Sequence, residues 1–197
     1  MRGGQNLLQR CQVCLYAGSI MPRDLLSLCP PEAKIIDTGP LTLARSSTSS
    51  WRRPGRIGCR ATAFGGDPSI YSALAEQCRH LDDQGVHYEI VPGGVPAFAA
   101  RRGGLGRELT VPGVAQTVTL TRVATLSTAM PEKENLTALS MPGATLVLHL
   151  AAAQIDSIVE DLTAGGYTNE TPCAVVAFAS WPTQQVLRGT SATWPTR

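Results

Sequence analysis

Apolar positions along this chain fall into short blocks that switch between a two-residue and a three-to-four-residue period, the mark of alternating strands and helices. Residues 7–10 read as the tail of a helix, and residues 13–17 as a strand closed by Gly18. A short helix over 22–28 carries Pro22 in its first turn, where a missing N–H costs little. Residues 33–37 make a second strand. Ile70, Leu74, Cys78 and Leu81 recur at helical spacing and predict a helix over 69–84, stopped at Gly85. A strand over 88–91 ends at Pro92-Gly93-Gly94, and a helix starting at Val95 is weakened by Gly103 and Gly104. The second half is more regular. Strands are expected over 118–123, 145–150 and 173–178, a helix over 152–163, and a segment 184–188 that pairs back across Trp181-Pro182-Thr183. This order of elements is that of an α/β protein. The Pro112-Gly113 punctuation divides it into domains 1–113 and 114–197.

Residues 44–65 interrupt the pattern. They are rich in Arg, Ser, Gly and Thr, and the helix and buried strand that a doubly wound fold wants there are not visible. Arg45, Arg52, Arg53, Arg56 and Arg60 fall here, with no acidic residue between Asp37 and Asp67. Only Trp51 interleaves them, so the stretch lacks the make-up of a nucleic-acid module and no nucleic-acid partner is expected.

Composition narrows the class without naming a chemistry. Hydrophobic residues at 43% and charged residues at 16% describe a globular chain, and a net charge of +2 favours no partner. No apolar run reaches the roughly 18 residues of a membrane span, and no signal peptide is evident at the start, so a cytoplasmic protein is expected. Cysteines stand at 11, 14, 29, 59, 78 and 173. The pair Cys11 and Cys14 has knuckle spacing, but no second pair follows, and His80, His87 and His149 make no ligand-spaced pair. The reading is buried thiols, with no metal and no disulfide framework.

The candidate chemistry lies in three strand-to-helix turns: Gly65-Gly66-Asp67-Pro68, Val91-Pro92-Gly93-Gly94 and Leu150-Ala151-Ala152. Ligands of open α/β sheets bind beyond the carboxyl ends of strands, where backbone must be exposed. Asp67 would serve there either as an acceptor for ligand or loop N–H groups or as an N-cap ahead of Pro68. Gly103-Gly104-Leu105-Gly106 follows no strand and is not a nucleotide loop, and the parts of proteolytic, glycosidic and zinc sites are missing.

Blocks in order along the chain resemble the S-adenosylmethionine-dependent tetrapyrrole methyltransferases, in particular the branch acting on C-11 of precorrin-4. They are Leu15-Tyr16-Ala17-Gly18-Ser19, Asp37-Thr38, Gly66-Asp67-Pro68-Ser69-Ile70-Tyr71, Val91-Pro92-Gly93 with Pro96-Ala97-Phe98, the passage 107–122, Ala179-Ser180-Trp181-Pro182 and Arg188-Gly189-Thr190. The resemblance implies two small α/β domains with the cofactor cleft between them, a corrin-ring precursor as substrate, and a homodimer. It implies that Gly65, Gly66, Asp67 and Ile70 lie along the methionine and ribose of S-adenosylmethionine. Pro96 and Ala97 would make a second contact, and Leu150 and Ala179 would cover the adenine. No side chain is implied as catalytic. Arg122 is open to two readings, a partner for substrate carboxylates or a salt bridge. Measured against the family pattern, the first strand with its glycine loop and the last strand are expected to be lacking. Residues 44–64 and 95–106 depart from the pattern in the way compensated frame changes do, which leaves a non-catalytic remnant as the alternative.

Overall fold

The computed structural model describes residues 2–18, 21, 23–39, 59–95, 108–124, 129–179 and 181–193. Contacts divide the chain into two compact units, Met1–Pro96 and Ala97–Arg197.

The first unit runs α1 (Arg2–Leu8), β1 (Val13–Tyr16), a 3-10 turn (Arg23–Leu28), β2 (Lys34–Asp37), β3 (Arg60–Ala63) and α2 (Leu74–Asp83). Its sheet has the order β2-β1-β3, with both pairings parallel. Val13 lies opposite Lys34 and Arg60, and Tyr16 opposite Asp37 and Ala63, so the three strands end in step. As the middle strand β1 is covered on both faces, which is why it reads as an apolar run without alternation. Cys14 is 0% exposed and Leu15 3%.

Three expectations are corrected here. The stretch 44–65 does contain a strand: Arg60-Ala61-Thr62-Ala63 forms β3 against β1. Its small residues carry weak strand propensity, but Ala61 and Ala63 pack beneath the buried cysteines, so tertiary pairing decides. Conversely, residues 88–91 form no strand. Tyr88 and Ile90 are 37% and 49% exposed, and alternation without a neighbouring ladder does not make a strand. The helix foreseen over 69–84 begins only at Leu74, because Tyr71 and Ala73 adopt left-handed backbone at φ 52° and 54°. The helix expected from Val95 lies almost entirely outside the described residues.

The second unit holds β4 (Val118–Arg122), α3 (Leu136–Leu139), β5 (Thr145–His149), α4 (Ile155–Ala164), β6 (Pro172–Ala177) and β7 (Gln185–Thr190). β4 and β5 pair in parallel, from Val118 opposite Thr145 to Arg122 opposite His149. β6 and β7 form the expected hairpin, from Pro172 opposite Thr190 to Ala177 opposite Gln185. Val123, Leu136 and Ile158 make its buried core, with Leu148, Ala151 and Leu162 against them. The short α3 was not foreseen, although Asn135 marks its start: Asn135 Oδ1 accepts from Ala138 N at 2.8 Å. Leu109 joins this unit through Thr145, whose Oγ1 donates to the Leu109 carbonyl at 2.7 Å.

Candidate functional site

The turns that leave the carboxyl ends of the first unit's strands are held by two aspartates. Asp37, the last residue of β2, accepts at Oδ1 from Gly18 N at 3.1 Å and Gly39 N at 2.8 Å. Those N–H groups, Gly39's first, hold the Asp37 carboxyl below its ordinary value. A Cβ on Gly18 would collide with the same carboxylate, so a larger residue there would have to push Asp37 off its hydrogen bonds to Gly18 and Gly39.

Asp67 does the same work at the end of β3. Its Oδ1 accepts from Ser69 N at 2.9 Å and from Ser69 Oγ, an Asx turn, while Oδ2 accepts from Gly93 N at 3.0 Å. The hydrogen bonds from Ser69, then that from Gly93, outweigh the effect of burial and keep this carboxyl ionised below the usual range. Asp67 therefore accepts from loop N–H groups, one of the two roles open to it, and is not a helix N-cap: α2 starts seven residues later. Both its oxygens already have backbone partners. What it offers a ligand is a fixed turn, in which Gly65 is exposed and Gly66 and Ile70 are half-buried.

Gly93 locks the second turn onto the first. A Cβ there would collide with the Gly66 carbonyl oxygen and stand 2.9 Å from its carbon and 3.1 Å from Asp67 Cα. All three are backbone atoms that cannot rotate aside. The structure thus brings together Gly66, Asp67 and Gly93, the last of which sequence reasoning placed in a turn without assigning it a role. Beside them Pro68, Ser69, Tyr71, Ser72, Leu74 and Cys78 line an open depression of about 410 Å³. Pro96 and Ala97 lie outside the described residues.

In the second unit Leu150 follows β5 in left-handed backbone, φ 58°, with its side chain 59% exposed. Ala179 is half-buried and follows Phe178, which is also left-handed at φ 52°. Phe178 is braced by Trp181, the ring centres 5.8 Å apart, and its carbonyl accepts from Trp181 N at 2.9 Å. Non-glycine residues with φ in this range are uncommon and gather at sites where backbone must be presented in a set way. Among the described residues the left-handed non-glycine positions are Tyr71, Ala73, Leu150 itself and Phe178, of which Tyr71 and Ala73 closely follow Ile70 and Phe178 directly precedes Ala179. His149, just before Leu150, is pushed by burial toward its neutral form. Arg122 donates from Nη1 to the Val123 carbonyl at 3.1 Å and from Nη2 to the Ala129 carbonyl at 3.0 Å, so part of its guanidinium serves the local backbone.

Among the described residues no helix is long and apolar enough to cross a membrane. The family described as Tetrapyrrole (Corrin/Porphyrin) Methylases matches residues 2–194. A precorrin-4 C(11)-methyltransferase of Mycobacterium tuberculosis is 67% identical over 96% of this chain and 75% of its own length. A cobalt-precorrin-4 C(11)-methyltransferase of Methanocaldococcus jannaschii is 37% identical over 95% and 71%. The solved structure of a cobalt precorrin-4 methyltransferase superposes with a TM-score of 0.88 at 33% identity, covering 98% of this chain and 80% of that one. The fold is shared at 22% identity, TM-score 0.76, by a uroporphyrin-III C-methyl transferase from Thermus thermophilus complexed with S-adenyl homocysteine, over 98% of this chain and 77% of that one. With a match that runs from α1 past β7, and turns built at the carboxyl ends of its strands, this chain belongs to the tetrapyrrole (corrin/porphyrin) methylases.

Proposed function

We propose that this chain is an S-adenosylmethionine-dependent C-methyltransferase that methylates C-11 of precorrin-4 during corrin-ring assembly. The observation that carries the reading is the 67% identity, over 96% of the chain, to a precorrin-4 C(11)-methyltransferase. S-adenosylmethionine supplies a methyl group already activated as a sulfonium, so the protein's task is to bind, align and exclude water.

The residues present suit that cofactor. Gly65 exposes main chain at a strand end, beside an ionised aspartate whose hydrogen bonds hold the turn and whose negative charge is compatible with a cationic sulfonium. In this reading Gly65, Gly66, Asp67 and Ile70 line the methionine and ribose, and Pro96 and Ala97 make the second contact. Leu150, with its exposed apolar side chain, and Ala179 cover the adenine. Contacts made through backbone need small or apolar residues, which is what these positions hold. No side chain is asked to act as nucleophile or base. Alignment of the acceptor carbon alone is worth several kcal/mol of barrier. We also place the domain division at 113/114, which limited proteolysis tests by the position of its first cut, and a homodimer, which light scattering tests.

The decisive assay incubates purified chain with S-adenosylmethionine and precorrin-4 and follows S-adenosylhomocysteine and the methylated product by mass spectrometry. Saturable cofactor binding with substrate-dependent turnover is expected. A cooperatively melting chain that binds no cofactor would make it a non-catalytic relative.

A further inference from the structure

We propose that Cys11, Cys14, Cys29 and Cys59 bind one thiophilic cation, Zn(II), as a structural clasp at the amino-terminal ends of β1 and β3. Three of the chain's six cysteines bring their sulfurs together, and Cys59 packs against that group, so the four come from three separate segments. Cys11 and Cys14 flank the start of β1, Cys29 follows the 3-10 turn, and Cys59 immediately precedes β3. The Sγ atoms of Cys11, Cys14 and Cys29 lie within 4.8 Å of one another, and Cys11 Sγ–H donates to Cys29 Sγ at 3.8 Å. A zinc tetrathiolate with Zn–S of about 2.3 Å has S···S edges of about 3.8 Å. Two of the sulfurs already stand one edge apart, and the trio needs to contract by at most about 1 Å.

The fourth ligand would come from Cys59, whose sulfur has to swing in to join the three. Cys59 is half-buried and packs against the trio. Its carbonyl accepts from Gln12 N at 2.7 Å, and the Gln12 carbonyl accepts from Lys34 N at 2.9 Å. The peptide between the two knuckle cysteines is thereby tied to both other segments. The remaining neighbours are Leu8, Leu26, Ala33, Ala61 and Ala63, so the setting is apolar and suits a soft, closed site. Four sulfurs leave no open coordination position, which makes the ion structural. It sits at the opposite strand ends from the Gly18–Asp37 and Gly66–Asp67 turns and takes no part in methyl transfer. On binding, Zn(II) gives up its coordinated waters and each thiol passes its proton to solvent as sulfur ligates, with no change of oxidation state.

The test loads the reduced full chain with Co(II) as a coloured stand-in, then adds Zn(II), with circular dichroism alongside. One equivalent of cobalt per chain is expected, with a thiolate-to-cobalt charge-transfer band and the intense visible bands of tetrahedral coordination, both lost on adding zinc. Cys14→Ser combined with Cys29→Ser, which leaves only two thiolates, should abolish the bands, and Cys78→Ser and Cys173→Ser should keep them. Cys59→Ser, at the half-buried position, keeps the fold and loses about a quarter of the charge-transfer intensity as four thiolates become three. The proposal is overturned if the reduced wild-type chain shows no thiolate band, or if the bands survive Cys14→Ser combined with Cys29→Ser. It also fails if air produces a Cys11–Cys29 disulfide in a chain whose reduced form takes up no cobalt, which would mark a redox pair instead.

Discussion

Replacing Gly93 with alanine tests the cofactor site at its tightest joint. The added Cβ would collide with the Gly66 carbonyl oxygen and crowd the Gly66 carbon and Asp67 Cα at 2.9 and 3.1 Å. Side chains give way to such intrusions by changing rotamer, but backbone does not, so the whole Pro92–Gly94 loop has to move. That motion breaks the hydrogen bond from Gly93 N to Asp67 Oδ2, which holds the two turns together. Insertions of this size into packed structure cost about 1–3 kcal/mol. At about 2 kcal/mol, a unit of the size of Met1–Pro96 loses roughly 8–16 °C of melting temperature.

Stability alone does not identify a binding site, so the comparison with Gly85→Ala matters. Gly85 is also left-handed, φ 64°, but no atom lies within 4 Å of a Cβ built there. Its substitution costs about 1–2 kcal/mol of local strain and leaves the turns untouched. Both variants should melt early by circular dichroism. By calorimetry only Gly93→Ala should weaken S-adenosylmethionine binding, by about tenfold or more, the equivalent of roughly 1.4 kcal/mol. Equal cofactor affinity in the two variants would refute the assignment of these turns, even if both proved unstable.

Three further outcomes follow from particular contacts. Asp67 has its folded pKa lowered, so its contribution is present above the unfolded carboxylate value of about 3.9 and is lost as pH falls through the folded value. Asp67→Asn should therefore lower the melting temperature at pH 7 and flatten its fall in acid, as thermal melts between neutral and acidic pH would show. Leu150→Gly should raise stability by about 1 kcal/mol by relieving the left-handed backbone, yet weaken cofactor binding by removing an exposed apolar side chain; melting and calorimetry should move in opposite directions. Ile158→Ala, which empties the second unit's core between Val123 and Leu136, should cost about 2–5 kcal/mol in chemical denaturation.

The sequence made the middle strand and the second unit easy to read, because burial there forces an unambiguous pattern. β1 is apolar throughout since both faces are covered, and β6 and β7 announce themselves through the Trp181-Pro182-Thr183 turn between them. β3 was hidden because Thr62 is the one strong strand former in Arg60-Ala61-Thr62-Ala63; it pairs because β1 offers a ladder and the small Ala61 and Ala63 fit against the cysteines. The segment 88–91 misled for the opposite reason, having a strand's alternation without a neighbour. The late start of α2 depends on left-handed backbone at Tyr71 and Ala73, which no propensity of tyrosine or alanine foretells.

The site was legible in the same uneven way, and its physical character explains why. Glycines and an aspartate after a strand are visible as a turn, so Gly66 and Asp67 could be picked out. Which of its two possible roles Asp67 takes was not visible, because the partner that completes the turn, Gly93, lies twenty-six residues on. A site made of main chain leaves its trace in conformation, at Leu150 and Phe178 as at Tyr71, and not in reactive side chains. The cysteines show the converse. Cys11 and Cys14 advertise a knuckle in sequence, but the residues that would complete it arrive from after the 3-10 turn and from before a strand that could not be read. Spacing along the chain fails there because the ligand set is assembled by strand pairing: β1 has to lie between β2 and β3 before Cys29 and Cys59 can meet the knuckle at all.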